Sequence, residues 1–182
     1  MIAIDNNPTR LALARHNAQI YGVADRIEFI LADFISFAKS YLTSHTPSAS
    51  NDARKIDVIF LSPPWGGPSY LDGSTSTLKG SNVDLDSTYG HHPYSLASIE
   101  PIHGAELFRL SRKITKNIAY YLPRNTRMEE VSNLLRDAQT EKRSGKKEPE
   151  EMVEVEEAWT GSKLKAITCY FGGLASGQEE MF

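Results

Sequence analysis

Apolar positions gather in six short runs, Ile2–Asp5 and residues 26–32, 56–61, 117–122, 153–159 and 164–171, each rich in β-branched or aromatic side chains. Runs of this length and makeup predict strands. Between the earlier runs the spacing changes to that of a helix. In "NNPTRLALARHNAQIYG", Asn7 is placed to cap a helix, Pro8 to occupy its first turn and Gly22 to end it, with Leu11, Ala14, Ala18 and Tyr21 as the apolar positions. Further helices are predicted over 34–42, 104–114 and 127–138. Alternating strands and helices imply right-handed crossovers and a mostly parallel sheet, whereas the last two runs, split by a turn at Gly161 and Ser162, predict an antiparallel hairpin.

Three polar segments, 43–55, 71–98 and 139–152, interrupt this pattern and are expected as exposed loops of one domain spanning 1–182. The second is rich in Gly, Ser and Asp and follows a tryptophan, so a substrate-covering loop and a segment without fixed structure are both open. The third alternates charge signs and predicts a solvated linker. With 182 residues, 40% of them hydrophobic and 24% charged, the chain has the makeup of one globular domain. A net charge of −3 supplies no global field for an acidic ligand, which must then be held by local groups. The single cysteine, Cys169, lies in an apolar run; it excludes a disulfide framework or a cysteine-built zinc site and predicts a buried thiol in a reducing compartment. No metal is expected. No apolar run approaches the roughly 18 residues that span a bilayer, so a soluble, intracellular chain is expected. "MIAID" opens a strand at the first residue, an expectation of a chain that lacks the start of its domain.

In an open α/β sheet, ligands bind beyond the carboxyl ends of the strands. Asp5 closes "IAID", and its two oxygens suit the two hydroxyls of a ribose, although an Asp after a strand is more often a turn or cap residue. Asp33 in "LADF" suits the exocyclic amine of a purine and suits the N-cap of the following helix as well. Ser62, Pro63, Pro64 and Trp65 close the run "DVIFLSPPW". Two prolines fix the backbone and leave carbonyl oxygens to accept from an amino group, and the aromatic offers a face to a planar base. The pattern resembles the signature of methyltransferases that act on exocyclic amines of bases or on amide nitrogens. His91, His92 and His103 sit in or beside the long polar segment and are read as solvated or structural.

The blocks "IAIDNNPTRLALARHNAQIYGVADRIEFILADF", "VIFLSPPWGGPSY", "ELFRLSRKITKNIAYYLPRN" and "LKAITCYFG" resemble, in order, those of the trimethylguanosine synthase family. These enzymes convert an RNA 7-methylguanosine cap to the 2,2,7-trimethyl form. The resemblance implies a class I, Rossmann-like methyltransferase fold and S-adenosyl-L-methionine as cofactor. It implies that Asp5 binds the cofactor's ribose, that Asp33 and Phe34 hold its adenine, and that Ser62 adjoins both cofactor and acceptor amine. Ser62, Pro63 and Trp65 then form the catalytic group, and Asn17, Pro64, Trp65, Arg124 and Asn125 the substrate contacts. For Arg124 a cap phosphate and a structural partner are both open. A 7-methylguanine is cationic, so an indole beneath it gains a cation–π component of order 1 to 2 kcal/mol. Methyl transfer from a sulfonium rests on in-line positioning more than on acid–base catalysis, and no dedicated base is required.

The resemblance also implies capped small nuclear and nucleolar RNAs as substrates and a location in the nucleus, its nucleolus and Cajal bodies, with the cytoplasm as a second site. The family's first strand, its Gly-rich turn and its N-terminal arm have no counterpart in this sequence. Two alternatives therefore stand beside catalysis: an inactive truncated paralogue or cap-binding remnant, and methyl transfer to another exocyclic amine or amide through the same motif.

Overall fold

The computed structural model of the chain describes residues 1–44, 55–65, 93–140 and 151–175. Most of the three expected loops, with His91 and His92, lies outside them. The chain divides into two units, Met1–Lys55 and Ile56–Phe182.

In the first unit, local chemistry sets the helix ends. Asn7 is extended and its side-chain oxygen accepts from the N–H groups of Thr9 and Arg10, both at 3.0 Å. Pro8 follows with no N–H to satisfy, and helix α1 runs over Pro8–Ile20. Gly22 ends it at φ 67°, a conformation that a side chain disfavours. A short 3-10 turn, Ala24–Arg26, takes up Arg26, the first residue of the expected strand. Strand β1, Ile2–Asp5, therefore pairs in parallel with a shortened β2, Glu28–Leu31, from Ile2↔Glu28 to Asp5↔Leu31. Helix α2, Phe34–Ser44, follows. Of the four apolar positions expected on α1, only Ala18 is buried, Leu11 is half-buried, and Ala14 and Tyr21 are exposed. Two strands give the helix a narrow bed, and most of its circumference meets solvent.

The second unit holds a four-stranded sheet in the order β3-β4-β6-β5. Strand β3, Ile59–Leu61, is parallel to β4, Ile118–Pro123. Strand β6, Lys163–Phe171, is antiparallel both to β4 and to β5, Val153–Thr160. The parallel pair and the C-terminal hairpin thus share one sheet. Strand β3 starts three residues later than the apolar run suggests. The carbonyl of Asp57 is held by Thr115 Oγ1 at 2.8 Å and by Asn117 Nδ2 at 3.1 Å, which turns that stretch away from ladder geometry.

Alternation along β4 sends Ile118, Tyr120 and Leu122 to the same face as Phe171, Cys169 and Ile167 of β6. All six are buried. Helices α3, Gly104–Arg112, and α4, Met128–Thr140, contribute Leu107, Phe108, Val131, Leu134 and Leu135 to this core. The Phe108 ring meets Phe171 at 4.6 Å and stacks on Tyr120 at 6.4 Å between centroids. Tyr120 donates its hydroxyl to the Gly104 carbonyl at 3.2 Å. A Cβ on Gly104 would stand 2.8 Å from both that hydroxyl and Ile99, so any side chain there would have to push both aside. Arg112, its side chain 8% exposed, donates twice to Glu151, at 2.6 and 2.8 Å, tying α3 to the segment that leads into β5.

Two outcomes follow. Replacing Phe108 with Ala removes a fully buried ring and should lower stability by about 3–5 kcal/mol in urea unfolding. Burial pushes the Cys169 thiol up to about 12, so it should stay unreactive towards iodoacetamide at pH 8 until the protein is unfolded.

Candidate active site

Parallel pairing fixes where the two acidic residues of the first unit stand. Asp5 ends β1, and its carbonyl accepts from the N–H of Ala32, one residue past β2. Asp33 comes next, so both carboxylates occupy the carboxyl edge of the pair. Asp5 Oδ1 accepts the N–H of Asn7 at 2.7 Å, and Arg10 reaches back from α1 with Nε on Oδ2 and Nη2 on Oδ1, both at 3.0 Å. The Arg10 hydrogen bonds, aided by the Asn7 N–H and opposed by partial burial, hold the Asp5 carboxyl below the usual carboxylate range. Asp33 Oδ2 accepts from the N–H and from the hydroxyl of Ser36, each at 2.8 Å, which lowers its pKa and caps α2. Both openings left by the sequence are thus used: Asp33 is a cap, and Asp5 holds a turn.

Phe34 is half-buried as the first residue of α2. Asn17 is exposed. It lies ten residues along α1 from Asn7, about 15 Å of helix, and the first unit does not bring it to the edge occupied by Asp5 and Asp33. The pair of acids suits a nucleoside. Two carboxylate oxygens can receive a ribose diol and one can receive an amine, and the Asp5 side chain is 32% exposed to such a ligand. Arg10 already shares that carboxylate, so a diol would have to share it too.

In the second unit, Ser62 to Trp65 emerge beyond the end of β3, with Ser62 and Pro64 exposed and Pro63 and Trp65 half-buried. The Trp65 indole rests on Tyr121 of β4, with ring centroids 4.9 Å apart and planes 38° apart. Phe60 flanks Tyr121 at 6.1 Å. Sequence reasoning missed Tyr121. The signal was the doublet in "IAYYLP": adjacent tyrosines on a strand point to opposite faces, and once Tyr120 is in the core Tyr121 must stand on the other face.

Arg124 and Asn125 form the turn that ends β4. The N–H and the hydroxyl of Thr126 both bond the Pro123 carbonyl, and the Asn125 carbonyl accepts the N–H of Tyr94 at 2.8 Å. Arg124 Nη1 donates to the Leu164 carbonyl at 3.1 Å, a structural partner on β6. His103 caps α3, its Nδ1 accepting from the Ala105 N–H. Among the described residues no three His, Cys, Asp or Glu side chains gather as metal ligands. Among the same residues no helix is long and apolar enough to cross a membrane.

A family model described as RNA cap guanine-N2 methyltransferase matches residues 1–174. Trimethylguanosine synthase of Schizosaccharomyces pombe is 33% identical over 133 residues, which cover 72% of this chain and 45% of that protein. Trimethylguanosine synthase of Saccharomyces cerevisiae is 26% identical over 133 residues, 73% of this chain and 34% of that protein. The chain thus spans less than half the length of these curated relatives.

The Asp33 cap carries its own test. Asp33→Ala should cost about 1 kcal/mol, and Asp33→Asn, which keeps an acceptor, should cost less. The folded carboxyl of Asp33 is depressed, so its contribution is present above the unfolded value near pH 3.9 and is lost as pH falls through the lower folded value. Thermal melts from pH 6 to pH 2 should show this acid-linked loss in the wild type and a smaller one in Asp33→Asn.

Proposed function

Because the chain belongs to the RNA cap guanine-N2 methyltransferase family, we propose that it methylates the exocyclic N2 of an RNA 7-methylguanosine cap, giving the 2,2,7-trimethyl form, with S-adenosyl-L-methionine as methyl donor. The observation that carries this reading is the half-buried Trp65 indole at the carboxyl end of β3, directly after a proline-fixed turn and backed by Tyr121. Such a platform suits a flat cation, because stacking and cation–π attraction act through the same face.

The donor, when bound, supplies an electrophilic methyl on a sulfonium. Asp5 would hold its ribose, and Asp33 with Phe34 its adenine. On the acceptor side, the Ser62 hydroxyl and the Pro63 carbonyl can take the two N2 hydrogens, which leaves the nitrogen lone pair directed away from them. Pro64 and Trp65 fix the ring, while Arg124 and Asn125 supply polar contacts around the base and its phosphates. Orientation of N2 then provides much of the acceleration, and the proton leaves to water after transfer. The same reading extends to capped small nuclear and nucleolar RNAs as substrates and to the nucleus as the place of action.

One observation favours a second reading, cap binding without transfer. Arg10 already engages the carboxylate assigned to the cofactor's ribose. Calorimetry separates the two, since catalysis requires measurable S-adenosylmethionine binding and retention of a cap alone does not.

The direct test is transfer of labelled methyl to 7-methyl-GTP by this chain, with the product identified as the N2-methylated base. Methylation of adenine or of glutamine amides in preference to the cap would overturn the cap assignment. Trp65→Ala should weaken 7-methyl-GTP binding by about 1–3 kcal/mol, the range for loss of one base stack, and leave S-adenosylmethionine binding little changed. Unaltered cap affinity in that variant would refute the platform.

A further inference from the structure

The register of the second sheet places a surface at the edge that carries Trp65. Strands β3 and β4 are parallel and both end there. Strand β6 is antiparallel to β4, with Pro123↔Ala166, so β6 begins and β5 ends at the same edge. The turn between β5 and β6 therefore projects on the side of Ser62–Trp65, three strand spacings across, about 14 Å.

This turn is built differently from the rest of its hairpin. Towards the opposite end β5 carries Glu154 and Glu156, the latter accepting the Tyr170 hydroxyl. At the turn the charge is mixed, with Lys163 and Lys165 both exposed and Glu157 the last acid before it. The ladder steps from Ala158↔Ala166 to Trp159↔Leu164, so Lys165 is the extra residue of a bulge, and the break re-aims its neighbours. Arg124 reaches the same corner through its bond to the Leu164 carbonyl. Trp159 pairs across from Leu164, is 56% exposed, and is steadied by its indole N–H on Glu157 Oε2 at 3.0 Å. A solvent-facing indole, held by Glu157, at a turn that also carries the exposed Lys163 and Lys165 is a combination that suits single-stranded nucleic acid, with cations on phosphates and an aromatic under a base. An acidic peptide would use the cations but has no need of the flat ring.

We propose that the β5–β6 turn binds the single-stranded RNA chain that follows the cap, with Lys163 and Lys165 on phosphates and Trp159 under a base. The proposal rests on the cap reading for its direction. Alternation puts Trp159 on the face of Ile167 and Leu122, opposite that of Tyr121. At about 3.4 Å per stacked nucleotide the 14 Å from β3 takes roughly four nucleotides, and passing round the sheet edge takes about three more, within the length of a decamer. The surface thus distinguishes an RNA substrate from a free cap nucleotide.

Titrations of the chain with 7-methyl-GTP, a capped unstructured decamer RNA, the uncapped decamer and a decameric poly-glutamate test it. The capped decamer should bind about tenfold tighter than 7-methyl-GTP. Trp159→Ala and the double variant Lys163→Glu/Lys165→Glu should each remove most of that gain while leaving 7-methyl-GTP affinity unchanged. The double variant should also flatten the salt dependence of decamer binding by about 1.4 in the log–log slope, roughly 0.7 for each phosphate left without its lysine. The three substituted side chains stand at the surface, and circular dichroism melts matched to wild type confirm folding. Equal decamer affinity in wild type and variants, or poly-glutamate binding as tight as RNA, overturns the proposal. If 7-methyl-GTP fails to bind, or binds without dependence on Trp65, the cap reading fails separately; loss of uncapped decamer binding in the turn variants would still support the RNA surface.

Discussion

Strand β4 is paired on both sides, parallel to β3 and antiparallel to β6, and its two faces do different work. One face sends Ile118, Tyr120 and Leu122 into the core under α3 and α4. The other sets Tyr121 beneath Trp65. Because alternation has a period of two, the faces cannot be shifted independently. A one-residue slip would withdraw Tyr120 from Phe108 and the Gly104 carbonyl and would move Tyr121 from the indole in the same step. The packing that stabilises this sheet and the placement of the candidate base platform thus share one register.

The first unit rests on thinner packing. Its two strands bury little of α1, and its ordering comes from polar closures at the carboxyl edge: Asn7 on the first turn of α1, Asp33 on Ser36, and Asp5 clasped by Arg10. These closures fix the acids as structural elements before any ligand is considered. A carboxylate with two oxygens can take on a diol as well, so the structural and ligand roles of Asp5 are not exclusive. Asp33 leaves less room, because one of its oxygens already serves two donors of Ser36.

Much of this was legible in the chain. Asn7, Pro8 and Gly22 mark the ends of α1 because capping is a matter of neighbouring residues, and the alternating runs of 117–122 and 164–171 locate β4 and β6 within a residue or two. The chemistry that spans long separations was not legible. The partner of Arg124 is a carbonyl 40 residues away, and the late start of β3 depends on side chains about 60 residues downstream of Asp57. Tyr121 was overlooked for a related reason: its importance comes from a neighbour beyond the end of another strand, and no spacing along its own strand announces that. Trp65 was singled out as a candidate platform because rigid prolines and a strand end are local signals.

Tyr121 lies against the Trp65 indole, and this would bear on selectivity along the proposed reaction. Under the proposed reading, a base stacked on this indole would be sensed through its flat ring and the positive charge at N7. Neither changes when a methyl group is added at N2. Under the proposed reading, the stack would hold the starting cap, the singly methylated base and the final product about equally. Binding of that kind secures the guanine without favouring any stage of its conversion. Discrimination between stages would then fall to Ser62 and the Pro63 carbonyl, which meet the amine, whose hydrogens are consumed one at a time.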